Sequence, residues 1–235
     1  MIAIKTHEPA IKVVQEQNRH DISVWEGNTR VASLSVFAFN QRIGDAVVPM
    51  GGIGGVNTDP EYRLHGYART MLTYAVDWMT QHGYYISGLY GIPNFYTKFG
   101  FATCLAEYLL TIPLPSAERI KGSHPSRLME PEDVPVLLDI YQNTLAQMPG
   151  TIQRSPENWK GFLKGPGWGK IPQVEVITDS GKPVGYMVFA RYSDGLDVGE
   201  IAAVSWDGYC SLIARAAAIA LQRRGNIIFH IPPSH

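Results

Sequence analysis

The run Gly51-Gly52-Ile53-Gly54-Gly55-Val56-Asn57, inside a strand-forming stretch from Ala46 to Asn57, constrains the fold of this chain more than any other feature. Glycine weakens a strand, because it has no side chain to pack and much backbone freedom to lose. A strand with four of them is expected where another backbone or an extended ligand must come close. Asp59-Pro60 then stops the strand. A tight turn with Arg63, Gly66 and Ala68 follows, and Gly66 to His82 has helical periodicity, with Tyr67, Met71, Leu72, Ala75, Trp78 and Met79 on one face. Gly83 is a natural helix stop. A helix that opens directly after such a turn presents free backbone N–H groups and a positive dipole end, a ready site for a pyrophosphate. Arg63 would add a full charge, and Gly66 would remove a Cβ where phosphate must approach. A plain strand–turn–helix connection, in which Gly66 serves only the turn, fits the same residues. The loop is not a dinucleotide fingerprint, since no third glycine follows at the right offset. Gly165-Pro-Gly-Trp-Gly-Lys170 is not a Walker A loop either, because Ile171 follows instead of Ser or Thr.

Upstream, Ile11 to Val14 is a candidate short strand. Asp21 to Glu26 and Arg30 to Phe39 alternate around Gly27-Asn28 as a β-hairpin. Downstream, Tyr84 to Tyr90 is a short strand, Pro93 to Lys98 fits one or two helical turns, and Phe101 to Ile112 holds one or two more strands. Residues 21–112 then read β-β-β-α-β-α-β, an α/β layered unit. Pro113 to Pro125 reads as a linker. Pro131 opens a helix with Val134, Leu137, Leu138, Tyr141 and Leu145 on one face, and residues 149–172 are expected to be irregular. Val174–Thr178 and Pro183–Tyr192 flank a Ser180-Gly181 turn. Asp197–Val204, a helix over Ser211–Arg224 stopped by Gly225, and a strand over Asn226–Ile231 complete a second unit. It repeats the order of elements around the first unit's central helix.

Composition narrows the class. Hydrophobic residues make up 45% and charged residues 17%, values of a folded globular chain. The formal net charge of −1 gives no basic excess for a nucleic-acid partner. Cys104 and Cys210 form no disulfide framework and are expected as free buried thiols. Neither a signal peptide nor an apolar run long enough for a membrane helix is found, so a cytoplasmic protein with no membrane partner is expected. The seven histidines show no metal-ligand spacing, so no metal site is expected.

Arg63-x-x-Gly66-x-Ala68 resembles the R/Q-x-x-G-x-G/A loop of the GNAT N-acetyltransferases, and Asn57-Thr-Asp-Pro before it is similar to the end of that family's central splayed strand. Asn94-Phe-Tyr-Thr-Lys-Phe-Gly-Phe101 resembles the family's second signature. The two signatures span residues 46–101 in the family's order. The tandem layout is similar to the Eis-like branch. The resemblance implies an α/β (α+β) GNAT fold, a mixed central sheet flanked by helices, with a second, degenerate GNAT-like unit. The corresponding organisation is a GNAT acetyl-CoA-binding domain over 1–112, a linker over 113–125 and a second unit over 126–235 that is expected to be incomplete at its C-terminus. It further implies acetyl-CoA as co-substrate. Val56, Asn57 and Thr58 would offer backbone groups to the pantetheine arm, and Arg63, Leu64, His65, Gly66, Tyr67, Ala68 and Arg69 would wrap the pyrophosphate. Asn94 would sit near the thiol end, and Tyr96 would be the catalytic acid that protonates the leaving thiolate.

The expected reaction is direct transfer of an acetyl group to a primary amine on a small molecule or protein, in one ternary complex, since neither signature holds a cysteine to carry the acyl group. The general base stays open among Glu26, Asp45, Glu61 and His65. The alternative function is a non-catalytic acyl-CoA-binding or regulatory module. The second unit has no Arg or Gln three residues before Gly208 and reads as structural. A homo-oligomer is left open.

Overall fold

The computed structural model describes residues 9–92, 94–104, 108–156, 172–192, 195–221 and 225–231. The chain divides into two compact units, Met1–Cys104 and Leu105–His235. The Gly165–Lys170 loop and most of the segment expected to be irregular over 149–172 lie outside the described residues.

The first unit is a five-stranded sheet with one long helix. Strands β1 (Ala10–Gln15), β2 (Arg19–Glu26), β3 (Thr29–Ile43) and β4 (Ala46–Thr58) form an antiparallel meander. Helix α1 (Tyr67–Gln81) then crosses over to β5 (Ile86–Leu89), which pairs parallel to β4. The hairpin read from the sequence is present, with Glu26 opposite Thr29 and Gly27 at φ 59° in the turn. Helix α1 buries Met71, Leu72, Ala75, Trp78 and Met79, the stripe its spacing predicts, against Ile22, Leu34, Val36 and Ile53. Left-handed glycines bound it, Gly66 at φ 86° before it and Gly83 at φ 80° beyond it.

The four glycines of β4 divide their work. A Cβ on Gly51 would lie 2.2 Å from Met79 Sδ, so this glycine lets α1 pack directly on the strand. A Cβ on Gly52 would lie 3.0 Å from the Phe39 ring on the opposite face. Gly51 and Gly52 therefore make room for the protein's own side chains. Gly55 does not, since a Cβ there would meet nothing within 4 Å.

The second unit is a six-stranded sheet covered on both faces. Its elements are β6 (Tyr108–Ile112), the one-turn α2 (Leu114–Ala117), β7 (Ser126–Leu128), α3 (Val134–Asn143), β8 (Gln173–Asp179), β9 (Lys182–Tyr192), β10 (Gly195–Ala203), α4 (Trp206–Leu221) and β11 (Asn226–Ile231). The strand order is β6-β11-β10-β9-β8-β7. Neighbours along β8 and β9 point to opposite faces. Ile177, Met187 and Phe189 pack with Leu212 and Ala216 of α4, while Val176, Tyr186 and Val188 pack with Leu137 and Tyr141 of α3. The antiparallel β9–β10 pair, the crossover α4 and the parallel β10–β11 pair repeat the β3–β4–α1–β5 arrangement, as read from the sequence.

Several elements differ from the sequence reading. The strand before Pro113, assigned above to the first layered unit, pairs instead with β11 of the second sheet, and Ile112 and Leu114 pack on that sheet's core. The expected linker contains α2, whose Ala117 is fully buried there. Helix α4 begins at Trp206 and not at Ser211, because the Ser205 hydroxyl accepts the Gly208 N–H at 3.1 Å as an N-cap. Both cysteines are free as expected, but Cys104 is exposed and Cys210 half-buried, so neither is a core thiol.

A buried ionic network braces the α3 face. Arg154 donates both terminal nitrogens to Glu200 at 2.7 and 2.6 Å, the Tyr186 hydroxyl donates to Glu200 at 2.7 Å, and the guanidinium lies 4.1 Å from the centre of the Tyr141 ring. Burial, followed by the Glu200 charge, pushes the Tyr186 hydroxyl well above its ordinary pKa, so it stays a donor. Glu200→Ala strips the carboxylate from this network and is expected to destabilise the second unit by about 3–5 kcal/mol. Urea unfolding with α4 and α3 probes would measure this. A change below about 1 kcal/mol would mean that the network contributes little.

Candidate functional site

The site forms where two parallel strands part. The β4–β5 ladder runs from Met50 opposite Ile86 to Ile53 opposite Leu89 and ends there. Strand β4 continues to Thr58 with no β5 partner, so its edge carries backbone groups that no sheet neighbour satisfies. On the other side, β4 bulges against β3. Ser35 pairs with Gly54 while Ser33 pairs with Asn57, which leaves one extra residue in β4. Gly55 supplies the left-handed φ of 63° that this bulge uses, and a Cβ there would meet nothing within 4 Å. A groove of about 500 Å³ opens between the parted segments. Ile53, Gly54, Gly55 and Val56 form one wall, and Tyr90, Gly91, Ile92 and Tyr96 form the other.

Tyr96 opens a 3-10 turn, Tyr96–Phe99, which Gly100 ends at φ 89°. Its ring meets Phe95 edge-on at 5.0 Å and Phe101 edge-on at 6.2 Å, so it is held rather than swinging free. Burial raises its hydroxyl above the ordinary tyrosine pKa. The group is therefore a protonated donor at neutral pH.

Beyond the groove, a 3-10 turn over Pro60–Tyr62 leads into the Arg63–Arg69 loop at the start of α1. Arg63 Nε donates to the Thr58 carbonyl at 3.3 Å, which ties the loop to the strand end. Arg63, Leu64, His65, Gly66 and Arg69 are exposed, and Leu64 takes a left-handed φ of 68°. The first turn of α1 has no acidic residue and no side-chain cap, so its N–H groups face outward without an internal anion. Tyr67 is half-buried and donates its hydroxyl to Glu26 Oε2 at 2.9 Å, which with partial burial raises its pKa, and His65 stacks on its ring at 6.0 Å. Ala68 is half-buried on the same turn.

The structure thus brings Val56 and Tyr96 to the groove and sets Arg63 to Arg69 around the helix start. Asn57, Thr58 and Asn94 do not line it. Asn57 is exposed and its amide donates to Asp59 at 3.3 Å, while Asn94 is exposed at φ 63°. None of the four base candidates lines the groove: Glu26 holds Tyr67, and Asp45, Glu61 and His65 are exposed. Tyr90, Gly91 and Ile92 were missed by the sequence reading, which counted Tyr90 as the end of a strand. The signal was the short Leu89-Tyr90-Gly91 exit from β5. Among the described residues no group of three or more His, Cys, Asp or Glu could hold a metal, and no helix is long and apolar enough to cross a membrane.

Known proteins share the fold. Residues 6–104 match the family described as an acetyltransferase (GNAT) domain. No curated protein matches the sequence. Among solved structures, a GCN5-related N-acetyltransferase from Kribbella flavida is 20% identical with TM-score 0.73, over 92% of this chain and 53% of its own. Another from Anabaena variabilis is 23% identical with TM-score 0.72, over 91% of this chain and 56% of its own. Eis1 from Mycobacterium abscessus is 15% identical with TM-score 0.61, over 94% of this chain and 59% of its own. At these identities the likeness is one of fold, and it reaches across both units. The chain spans a little over half the length of these structures.

Gly55→Ala is expected to cost about 1 kcal/mol or more, because alanine disfavours the left-handed conformation that the bulge needs. Denaturant unfolding of the pair of proteins would measure it. Unchanged stability would show that the bulge does not depend on that conformation.

Proposed function

We infer that this chain, whose residues 6–104 match the GNAT acetyltransferase domain family, transfers an acetyl group from acetyl-CoA to a primary amine by direct attack. The observation that carries this reading is the groove at the β4–β5 parting, with Tyr96 on one wall and the open start of α1 beyond the β4 end. The free β4 edge near Val56 suits the amides of a pantetheine arm, which would pair as an added strand. The N–H groups after Gly66, with Arg63 and Arg69, suit a pyrophosphate.

In the reaction the amine nitrogen attacks the thioester carbon, the N–C bond forms and the C–S bond breaks. The amine loses a proton to water or a base, and the Tyr96 hydroxyl gives its proton to the departing thiolate. A backbone N–H of the bulge at Gly55–Val56 would polarise the carbonyl oxygen. The acceptor is a small-molecule or protein amine. A second reading, an acyl-CoA-binding module without catalysis, is favoured by one observation: no carboxylate or imidazole is among the groove's lining residues.

Calorimetric titration with acetyl-CoA, followed by a thiol-release screen of amine acceptors, separates the two. Saturable binding with turnover supports the enzyme, and binding without turnover over a broad amine panel supports the module. Arg63→Glu is expected to weaken acetyl-CoA binding about tenfold, or roughly 1.4 kcal/mol. Equal affinity would remove the loop from pyrophosphate binding.

Tyr96→Phe is expected to lower kcat at least about tenfold with nearly unchanged acetyl-CoA affinity. An acid must be protonated, so the parent's kcat should fall only as pH rises through the Tyr96 pKa, which burial places above the ordinary tyrosine value. Tyr96→Phe should lose that alkaline limb. A kcat–pH profile with the limb intact in the variant would assign the proton elsewhere.

A further inference from the structure

Gly91 lies two residues past Leu89, the last β5 residue paired with β4, at the point where the strands separate. Its φ is not in the left-handed region, so its backbone would accept an L side chain. Space is what forbids one. A Cβ on Gly91 would lie 2.1 Å from Tyr96 Cε2, 2.4 Å from Tyr96 Cδ2 and 2.8 Å from Leu89 Cδ1. The Tyr96 ring therefore rests on the bare backbone of residue 91.

The ring has little room to move elsewhere. Phe95 and Phe101 meet it edge-on, and both pack on the first unit's core. The Phe101 N–H donates to the Tyr96 carbonyl at 3.4 Å, so the turn that carries Tyr96 is closed on itself. We propose that Gly91 is a positioning residue: its missing side chain seats the Tyr96 ring against the end of β5 and so fixes the hydroxyl relative to the parted edge of β4. This rests on the assignment of Tyr96 as the group that meets the CoA sulfur. A methyl at residue 91 would push the ring roughly 1 Å or more before ordinary contact returned, a displacement large enough to matter for proton transfer.

The test needs no acceptor. Tyrosine labelled with ¹³C at the ring Cζ reports each hydroxyl, and Tyr96→Phe identifies the Tyr96 signal. Free CoA is the probe. In the parent, saturating CoA should shift the Tyr96 signal. In Gly91→Ala, CoA should still bind, with Kd within about threefold, but the Tyr96 shift should fall to half or less. The same shift in both proteins would overturn the role of Gly91 and leave Tyr96 in place. Loss of CoA binding in Gly91→Ala would also overturn it, since residue 91 would then act on CoA directly and not through the Tyr96 ring. CoA binding to the parent with no change at Tyr96 would instead sink the assignment of Tyr96, and this proposal with it. No binding to the parent would sink the acetyl-CoA reading itself. Should Gly91→Ala fail to fold, Gly91→Ala with Tyr96→Leu should fold again, since the ring is the nearest obstruction and Leu89 Cδ1, the far end of a flexible side chain, can turn aside. Failure of that rescue would overturn the proposal.

Discussion

The first unit depends on a parallel strand pair that comes apart. Parallel pairing of β4 and β5 holds for four residue pairs and then stops, although β4 runs on for five more residues. A strand edge without a neighbour must satisfy its backbone groups with solvent or a ligand. The sequence enforces this. The Gly55 bulge bends β4 within its ladder with β3, which resumes at Asn57, and after Leu89 the other strand leaves through Tyr90-Gly91 toward a 3-10 turn. Gly51 and Gly52 serve the opposite need, since they bring Met79 and Phe39 tight against the strand just before it parts. One glycine-rich run thus clamps the strand at one end and opens it at the other.

The two crossover helices show how one architecture is left open in one unit and filled in the other. Helix α1 starts behind Gly66, with no carboxylate in its first turn and cationic Arg63 and Arg69 exposed beside it. Helix α4 starts behind the Ser205 cap and carries Asp207 in its first turn. The Ser123 hydroxyl donates to that carboxylate, and His124 Nε2 lies 3.1 Å from it. The Ser211 hydroxyl accepts the N–H groups of Ser123 and His124 at 3.1 and 3.2 Å. A Cβ on Gly122 would fall 2.4 Å from Ser211 Cα, so the segment lies directly on the helix. The dipole end of α4 has its own anion and its own covering chain, and a second anion there would meet Asp207.

Much of this was legible because it follows local rules. The α1 stripe, the Gly27 hairpin and the β11 limits come from periodicity and turn chemistry, which act within a few residues. The loop at Arg63–Arg69 was legible for the same reason. Misreadings arose where a distant partner decides. The Tyr108–Ile112 strand has apolar residues for either sheet, and only the edge of β11 and the core beneath Ile112 assign it. The roles given to Asn57 and Asn94 rest on the motif alone, and the Asn57 side chain turning to Asp59 leaves its backbone role as expected from the sequence untouched. Gly91 carries no local signature, since its role exists only once the ring of Tyr96, five residues on, folds back over it.

Under the proposed function, the residues lining the groove favour handing an acyl group over directly rather than through the protein. A relay would need a nucleophile on its walls, and neither cysteine is there: Cys104 is exposed at the end of the first unit, and Cys210 lies on α4 of the second. The hydroxyls of Tyr90 and Tyr96 are the polar side chains that line it. Burial raises the Tyr96 pKa, which disfavours its phenolate and with it both nucleophilic attack and proton removal from an amine. The same shift keeps the hydroxyl a hydrogen-bond donor at neutral pH. In the proposed reaction the departing thiolate, with a solution pKa of ~8.5 for a simple thiol, accepts a hydrogen bond from this phenol as charge develops on the sulfur. A protonated phenol at this place can complete a direct transfer, and it is poorly suited to begin an indirect one.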